Sequence, residues 1–159
     1  MSFPPSALDA RSQAFPALNK VQIDRIRPLG HLRRVQRGEI LFEPGDTKVP
    51  FFVLLSGSME IVQPSLEGER PVATHAAGGF TGEITMISGQ RCLVRGRVTE
   101  EGEFVEVSGD GLRLLVARDA ELSEILMRAF ILRRAEMLQQ GIGDVTLVGS
   151  SYSADTLRI

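Results

Sequence analysis

Between His31 and Val107 the chain breaks into short β-rich runs separated by turn signals, and this punctuation restricts the fold more than any other feature. The runs are HLRRVQRG, EILFEPGD, FFVLLSGSMEIVQ, RPVATHAAGG and RCLVRGRVTEEGEFVEVS. Turns are signalled at Gly38, Pro44-Gly45-Asp46, Ser56-Gly57-Ser58, Glu67-Gly68-Glu69, Gly78-Gly79 and Glu101-Gly102-Glu103. Many short strands at this spacing predict a β sandwich or barrel. Phe51-Phe52-Val53-Leu54-Leu55 is an almost unbroken apolar run, which predicts a central strand buried on both faces.

Helical patterns flank this region. Phe15–Leu29 places Leu18, Val21, Ile23, Ile26 and Leu29 at largely helical spacing, with Pro16 near its start and Pro28 closing it. Gly109–Asp119 reads as a short helix, and Ala120–Gln140 is the strongest helical signal. In that last helix Leu122, Ile125, Leu126, Ala129 and Phe130 form one apolar stripe, and Met127, Ile131 and Leu138 a second, displaced one. Two stripes call for two partners: the β domain, and a second copy of the helix or a bound base. Gly141 and Gly143 then end the helix. The chain divides into a flexible lead-in over 1–14, a folded domain over 15–140, and a linker with the start of a following α/β unit over 141–159.

Composition narrows the function. A net charge of −2 supplies no basic field to hold nucleic acid. Cys92 is the only cysteine, so no disulfide framework forms, and a cytoplasmic location is the simpler expectation. No apolar run is long enough to span a bilayer, and the start MSFPPSALDARSQ lacks the apolar core of a secretory signal. His31 and His75 lie far apart with no third histidine, which disfavours a metal site of the cupin type. Ser56 and Ser58 have no histidine nearby to act as base, so no catalysis is expected in this chain.

The chemistry concentrates in Phe80–Val98, FTGEITMISGQRCLVRGRV. Gly82 allows a sharp bend and a close backbone approach to a ligand. A single helical turn over Glu83, Ile84 and Thr85 would present free N–H groups to an anion. Arg91, Arg95 and Arg97 follow, and a guanidinium can grip a phosphate through two parallel bonds. An anion cradle, a carboxylate acceptor and a cation in one segment suit a phosphate ester of a sugar. Glu83 would accept from a ribose hydroxyl.

This segment resembles the phosphate-binding cassette of cyclic nucleotide-binding domains, as in bacterial catabolite activator proteins and protein kinase regulatory subunits. Gly82–Glu83 and Ile84-Thr85-Met86-Ile87 fit that pattern. Arg91 is the nearest match to its phosphate arginine, one residue early, while Cys92, Leu93 and Val94 stand where small residues and a hydroxyl are usual. The resemblance, running from Phe15 to Gln140, implies an antiparallel jelly-roll, mainly β, with an N-terminal helix and C-terminal helices. It implies a ligand-sensing module for cyclic AMP, cyclic GMP or a related phosphate ester, with Gly82, Glu83, Ile84, Thr85, Arg91 and Cys92 at the site. The departure after Arg91 leaves open a second possibility, a degenerate domain that serves in docking or dimerisation through Ala120–Gln140. A transcription factor of the catabolite-activator type would need a helix-turn-helix after the long helix. The residues after Gln140 are strand-like and carry little basic charge.

The tail GDVTLVGSSYSADTLRI has the pattern of a strand, a turn and the first turns of a helix. It is similar to the junction joining a cyclic nucleotide-binding domain to a thioredoxin-reductase-type flavoprotein in some bacterial fusions. That similarity implies a downstream reductase domain using FAD and NADPH. The expectation is that this chain is the N-terminal piece of a longer protein.

Overall fold

The computed structural model describes residues 13–82 and 91–141. Among these residues seven strands form: β1 (His31–Val35), β2 (Ile40–Phe42), β3 (Phe51–Leu54), β4 (Ser58–Ser65), β5 (Gly68–His75), β6 (Arg95–Glu100) and β7 (Gly102–Val107). They pair antiparallel into two sheets, ordered β1-β7-β3 and β2-β6-β4-β5. Among the described residues, helices α1 (Lys20–Ile26), α2 (Gly109–Arg118) and α3 (Ala120–Gln139) accompany them. This is the expected antiparallel jelly-roll with flanking helices.

Strand β3 is buried on both faces, and alternation along β3 and β7 sorts side chains into two cores. Phe51, Val53, Val105 and Val107 face the helices and pack with Ile26, Leu112, Leu122, Leu126 and Phe130. Phe52, Leu54 and Phe104 face the other sheet and pack with Val35, Phe42, Met59 and Val98. Near its C-terminal end α3 sends Met137 into this second core.

Two expectations are corrected. The first helix begins at Lys20, not Phe15, because Asn19 caps it. The Asn19 side chain accepts from the Gln22 amide at 2.8 Å, and the Gln22 side chain accepts from the Asn19 amide at 2.9 Å. Strand β3 is buried on both faces but lies at a sheet edge, with β7 central. Segment 78–81 covers the open edge of β3. Gly78 donates to Leu54, Leu54 to Gly79 and Thr81 to Phe52, at 2.8–2.9 Å. A strand edge with its N–H groups so engaged offers nothing for another chain to pair with.

The helices are fixed at their starts. Ser108 caps α2 and Asp119 caps α3, each through its side-chain oxygen. Arg25 of α1 pairs with Asp119 at 2.8 Å and Glu121 at 2.6 Å, which joins the two flanking helices.

Candidate functional site

A cavity of about 930 Å³ runs between the sheets and α3. Its apolar wall comes from Phe42, Ile61, Val72, Ala73, Leu93 and Val94. Gly82 and Lys48 border it, and α3 closes it with Arg133, Glu136, Met137 and Gln140. A cavity of this size, mostly apolar with a few polar groups, suits a small organic ligand.

Of the residues singled out in the sequence, Gly82 stands at the cavity with φ of +116°, a conformation other residues rarely adopt. Cys92 also lines the cavity, and backbone bonds hold it to the Gly45-Asp46 turn. Cys92 donates to Asp46, and Gly45 donates to Cys92, both at 2.8 Å. The Cys92 thiol donates to the Val94 carbonyl two residues on, 3.1 Å away. Arg91 is exposed and has no ion-pair partner among the described residues. Glu83, Ile84 and Thr85 lie outside the described residues.

Arg95 and Arg97 do not line the cavity. On β6 the inward positions belong to Gly96 and Val98, so the arginines between them face out. Arg95 pairs with Glu43 at 2.7 Å and Glu69 at 2.9 Å, while Arg97 pairs with Glu60 at 2.7 Å and Glu69 at 2.6 Å. The hydrogen bonds from Arg97 and Arg95 pull the Glu69 carboxyl below its ordinary range. This charge network covers the outer face of the four-stranded sheet and takes no part in the cavity.

Arg133 is the residue that sequence reading missed. It is 5% exposed and stands between the rings of Phe15 and Phe80, at 4.7 and 4.4 Å from their centroids. Its Nε donates to the Ala14 carbonyl at 2.7 Å. Its Nη1 donates to the carbonyls of Phe80 and Gly82, both at 2.9 Å. Burial pushes this guanidinium down to about 9. His75, buried beside the Phe15 ring, is pushed down to about 3, chiefly by burial and secondly by Arg133, so it is neutral. The signal for Arg133 was present in the sequence. It continues the series Leu122, Leu126, Ala129, so a cation occupies a core position of the apolar stripe.

Comparison with known proteins follows from this geometry. The sequence profile described as "Cyclic nucleotide-binding domain" matches residues 32–119. A Rhodopseudomonas palustris protein, provisionally named a potassium channel protein, is 25% identical over 137 residues, which is 86% of this chain and 33% of that protein. An uncharacterized protein of Mycobacterium tuberculosis is 27% identical over 141 residues, 89% of this chain and 26% of that protein. The chain thus spans a third or less of the length of these curated relatives. Among solved structures, the catabolite activator protein of Thermus thermophilus matches with a TM-score of 0.65 at 21% identity, covering 82% of this chain and 61% of that one. The N-terminal domain of a transcriptional regulator from Streptomyces coelicolor A3(2) matches with a TM-score of 0.57 at 22% identity, over 85% of this chain and 96% of that one. At such identities these structures speak for the fold alone.

Proposed function

This chain belongs to the cyclic nucleotide-binding domain family, and we propose that it is a ligand-sensing regulatory module whose cavity takes cyclic AMP, cyclic GMP or a related phosphate ester. The observation that carries this reading is the cavity itself, bounded by Gly82 on one side and by the end of α3 on another. In this proposal the backbone of Gly82, Glu83, Ile84 and Thr85 receives the phosphate, and Glu83 accepts from the ribose. Arg91, exposed and without an acidic partner among the described residues, supplies the positive charge. A ligand that binds one arrangement of α3 better than another shifts the population between them, and the shift is the signal. Titration calorimetry with cyclic AMP and cyclic GMP tests the reading. Saturable binding that Arg91→Ala weakens roughly ten- to a hundredfold supports it. Unchanged affinity in both Arg91→Ala and Glu83→Ala refutes the assignment of these residues.

One observation favours a second reading. The position after Arg91 carries a thiol that donates to the Val94 carbonyl two residues on, not a hydroxyl. Leu93 and Val94 are bulkier than the small residues usual there. We therefore expect cyclic AMP to bind weakly if at all, and nanomolar binding would contradict that expectation. A domain that binds neither nucleotide would serve as a docking or dimerisation module through α3.

For the whole protein we propose a regulated reductase, with this module controlling an attached thioredoxin-reductase-type flavoprotein that uses FAD and NADPH. The similarity of the tail over 141–159 supports this. The sequence following Ile159 tests it: a dinucleotide-binding glycine motif with a Cys-x-x-Cys supports the proposal, and a stop codon ends it. Some structures of the same fold carry names of transcriptional regulators. With 18 Lys and Arg against 20 Asp and Glu, we do not assign nucleic-acid contact to this chain's own residues.

A further inference from the structure

We propose that Arg133 is a ligand-contacting cation of the cavity, its Nη2 edge receiving the negative charge of a bound phosphate group from the side of helix α3. The proposal rests on the reading that the cavity is a ligand site.

The donors of the side chain can be counted. A guanidinium has five N–H groups. The Nε–H goes to Ala14, and the two on Nη1 go to Phe80 and Gly82. The two on Nη2 engage no atom among the described residues. Nor is Nη2 among the buried side-chain atoms sealed without a partner. Its free edge therefore opens on the space that Arg133 lines, the cavity.

The charge balance points the same way. The three acceptors of Arg133 are neutral carbonyls, and no carboxylate among the described residues lies within ion-pair distance. Glu136, one turn further along α3, raises the guanidinium's basicity only through space. His75 beside it is neutral and adds no negative charge. Burying a cation without an anion is costly. Carbonyls and two aromatic faces offset part of that cost, and an anion in the cavity would offset the rest. A purely structural staple would account for three N–H groups and both rings, but not for a free edge facing an open cavity.

The position also couples the ligand to the helix. The same guanidinium that would meet the anion holds the carbonyls of Phe80 and Gly82, on the segment that covers β3. An anion drawing on Nη2 acts directly on α3 and on this segment together.

The test uses cyclic AMP, cyclic GMP and inorganic phosphate as probes. Nitrogen-15 NMR of the unaltered protein follows the Arg133 Nε–H resonance, and calorimetry compares Arg133→Lys and Arg133→Gln with Arg91→Ala. If a probe binds, the Arg133 resonance should move. Arg133→Gln should lose roughly ten- to a hundredfold in affinity, with Arg133→Lys recovering part of the loss. If the variants fail to fold, the resonance in the unaltered protein decides. A probe that binds while that resonance stays fixed, or a folded Arg133→Gln with unchanged affinity, overturns the role of Arg133 and leaves the ligand-site reading intact. Inorganic phosphate moving the resonance while neither cyclic nucleotide binds supports Arg133 and removes the cyclic nucleotide reading. No binding by any probe overturns both.

Discussion

Phe52 and Thr81, 29 residues apart in sequence, exchange two hydrogen bonds: the Phe52 amide donates to the Thr81 hydroxyl at 3.0 Å, and the Thr81 amide donates to the Phe52 carbonyl at 2.9 Å. Both residues are fully buried. The exchange carries the backbone from the core strand β3 to Gly82 at the cavity, so the site is anchored to a fully buried strand.

Thr81→Val keeps the shape and removes the acceptor, which leaves the Phe52 amide buried and unpaired. The expected loss is about 1–3 kcal/mol of stability, measured by urea unfolding. An unchanged midpoint would show that the hydroxyl has no structural role.

His75 gives stability a pH dependence of known sign. Its folded value near 3 lies below the ordinary 6.5, through burial and the charge of Arg133. As pH falls from 6.5 toward 3 the unfolded chain binds a proton that the folded chain refuses, so stability falls with pH. The slope is about 1.4 kcal/mol per pH unit for one proton. Carboxylates such as Glu39 and Glu69, held low by hydrogen bonds and arginines, add to it only in the acidic part of that range. Substituting His75→Phe should flatten the profile between pH 6.5 and 5, above the ordinary carboxylate range. A wild-type protein with no slope there would contradict the buried neutral histidine.

Gly96 has no room for a side chain. An added Cβ would lie 2.5 Å from Phe42 ring atoms and 3.0 Å from the Met59 methyl. Gly96→Ala should cost about 1–3 kcal/mol by overpacking and push the Phe42 ring toward the cavity it lines. Adding Phe42→Leu should recover part of the loss, a coupling that a double-mutant cycle measures.

Helix α3 leaves Ile131 54% and Leu138 43% exposed, seven residues apart on one face. Met127, grouped with them from the sequence, packs against the core instead. Self-association through this face should therefore be abolished by Ile131→Glu with Leu138→Glu at unchanged melting temperature. Sedimentation velocity checks this, and a wild-type monomer at high concentration would remove the homodimer.

The fold was legible because its determinants are local. Glycine turns, two-residue alternation and apolar stripes each show within a short window, and the family resemblance implied the jelly-roll. The start of α1 was misplaced because a capping asparagine outweighed the apolar spacing before it. The role of β3 as an edge was not legible, since it depends on segment 78–81 returning to cover it. At the site, Gly82 and Cys92 line the cavity. Arg133 was missed because an arginine is ordinarily solvated, and only its place in the series Leu122, Leu126, Ala129 marked it as buried. Its acceptors lie 51 to 119 residues away.

The strand order has a consequence for synthesis on the ribosome. Among the described strands, β1 and β3 each have β7 as their one sheet neighbour, and β2 has β6. The amino-terminal strands therefore wait for partners until residues 95–107 have been made and released from the exit tunnel. Only β4 and β5 form a hairpin of neighbours in sequence. A nascent chain can close that hairpin early, but both sheets are completed only after β6 and β7 emerge. Until then the apolar run at Phe51–Leu54 is a natural target for chaperones that hold extended segments. Slowing translation before Val107 has left the exit tunnel should lengthen that vulnerable interval, and slowing it afterwards should leave it unchanged.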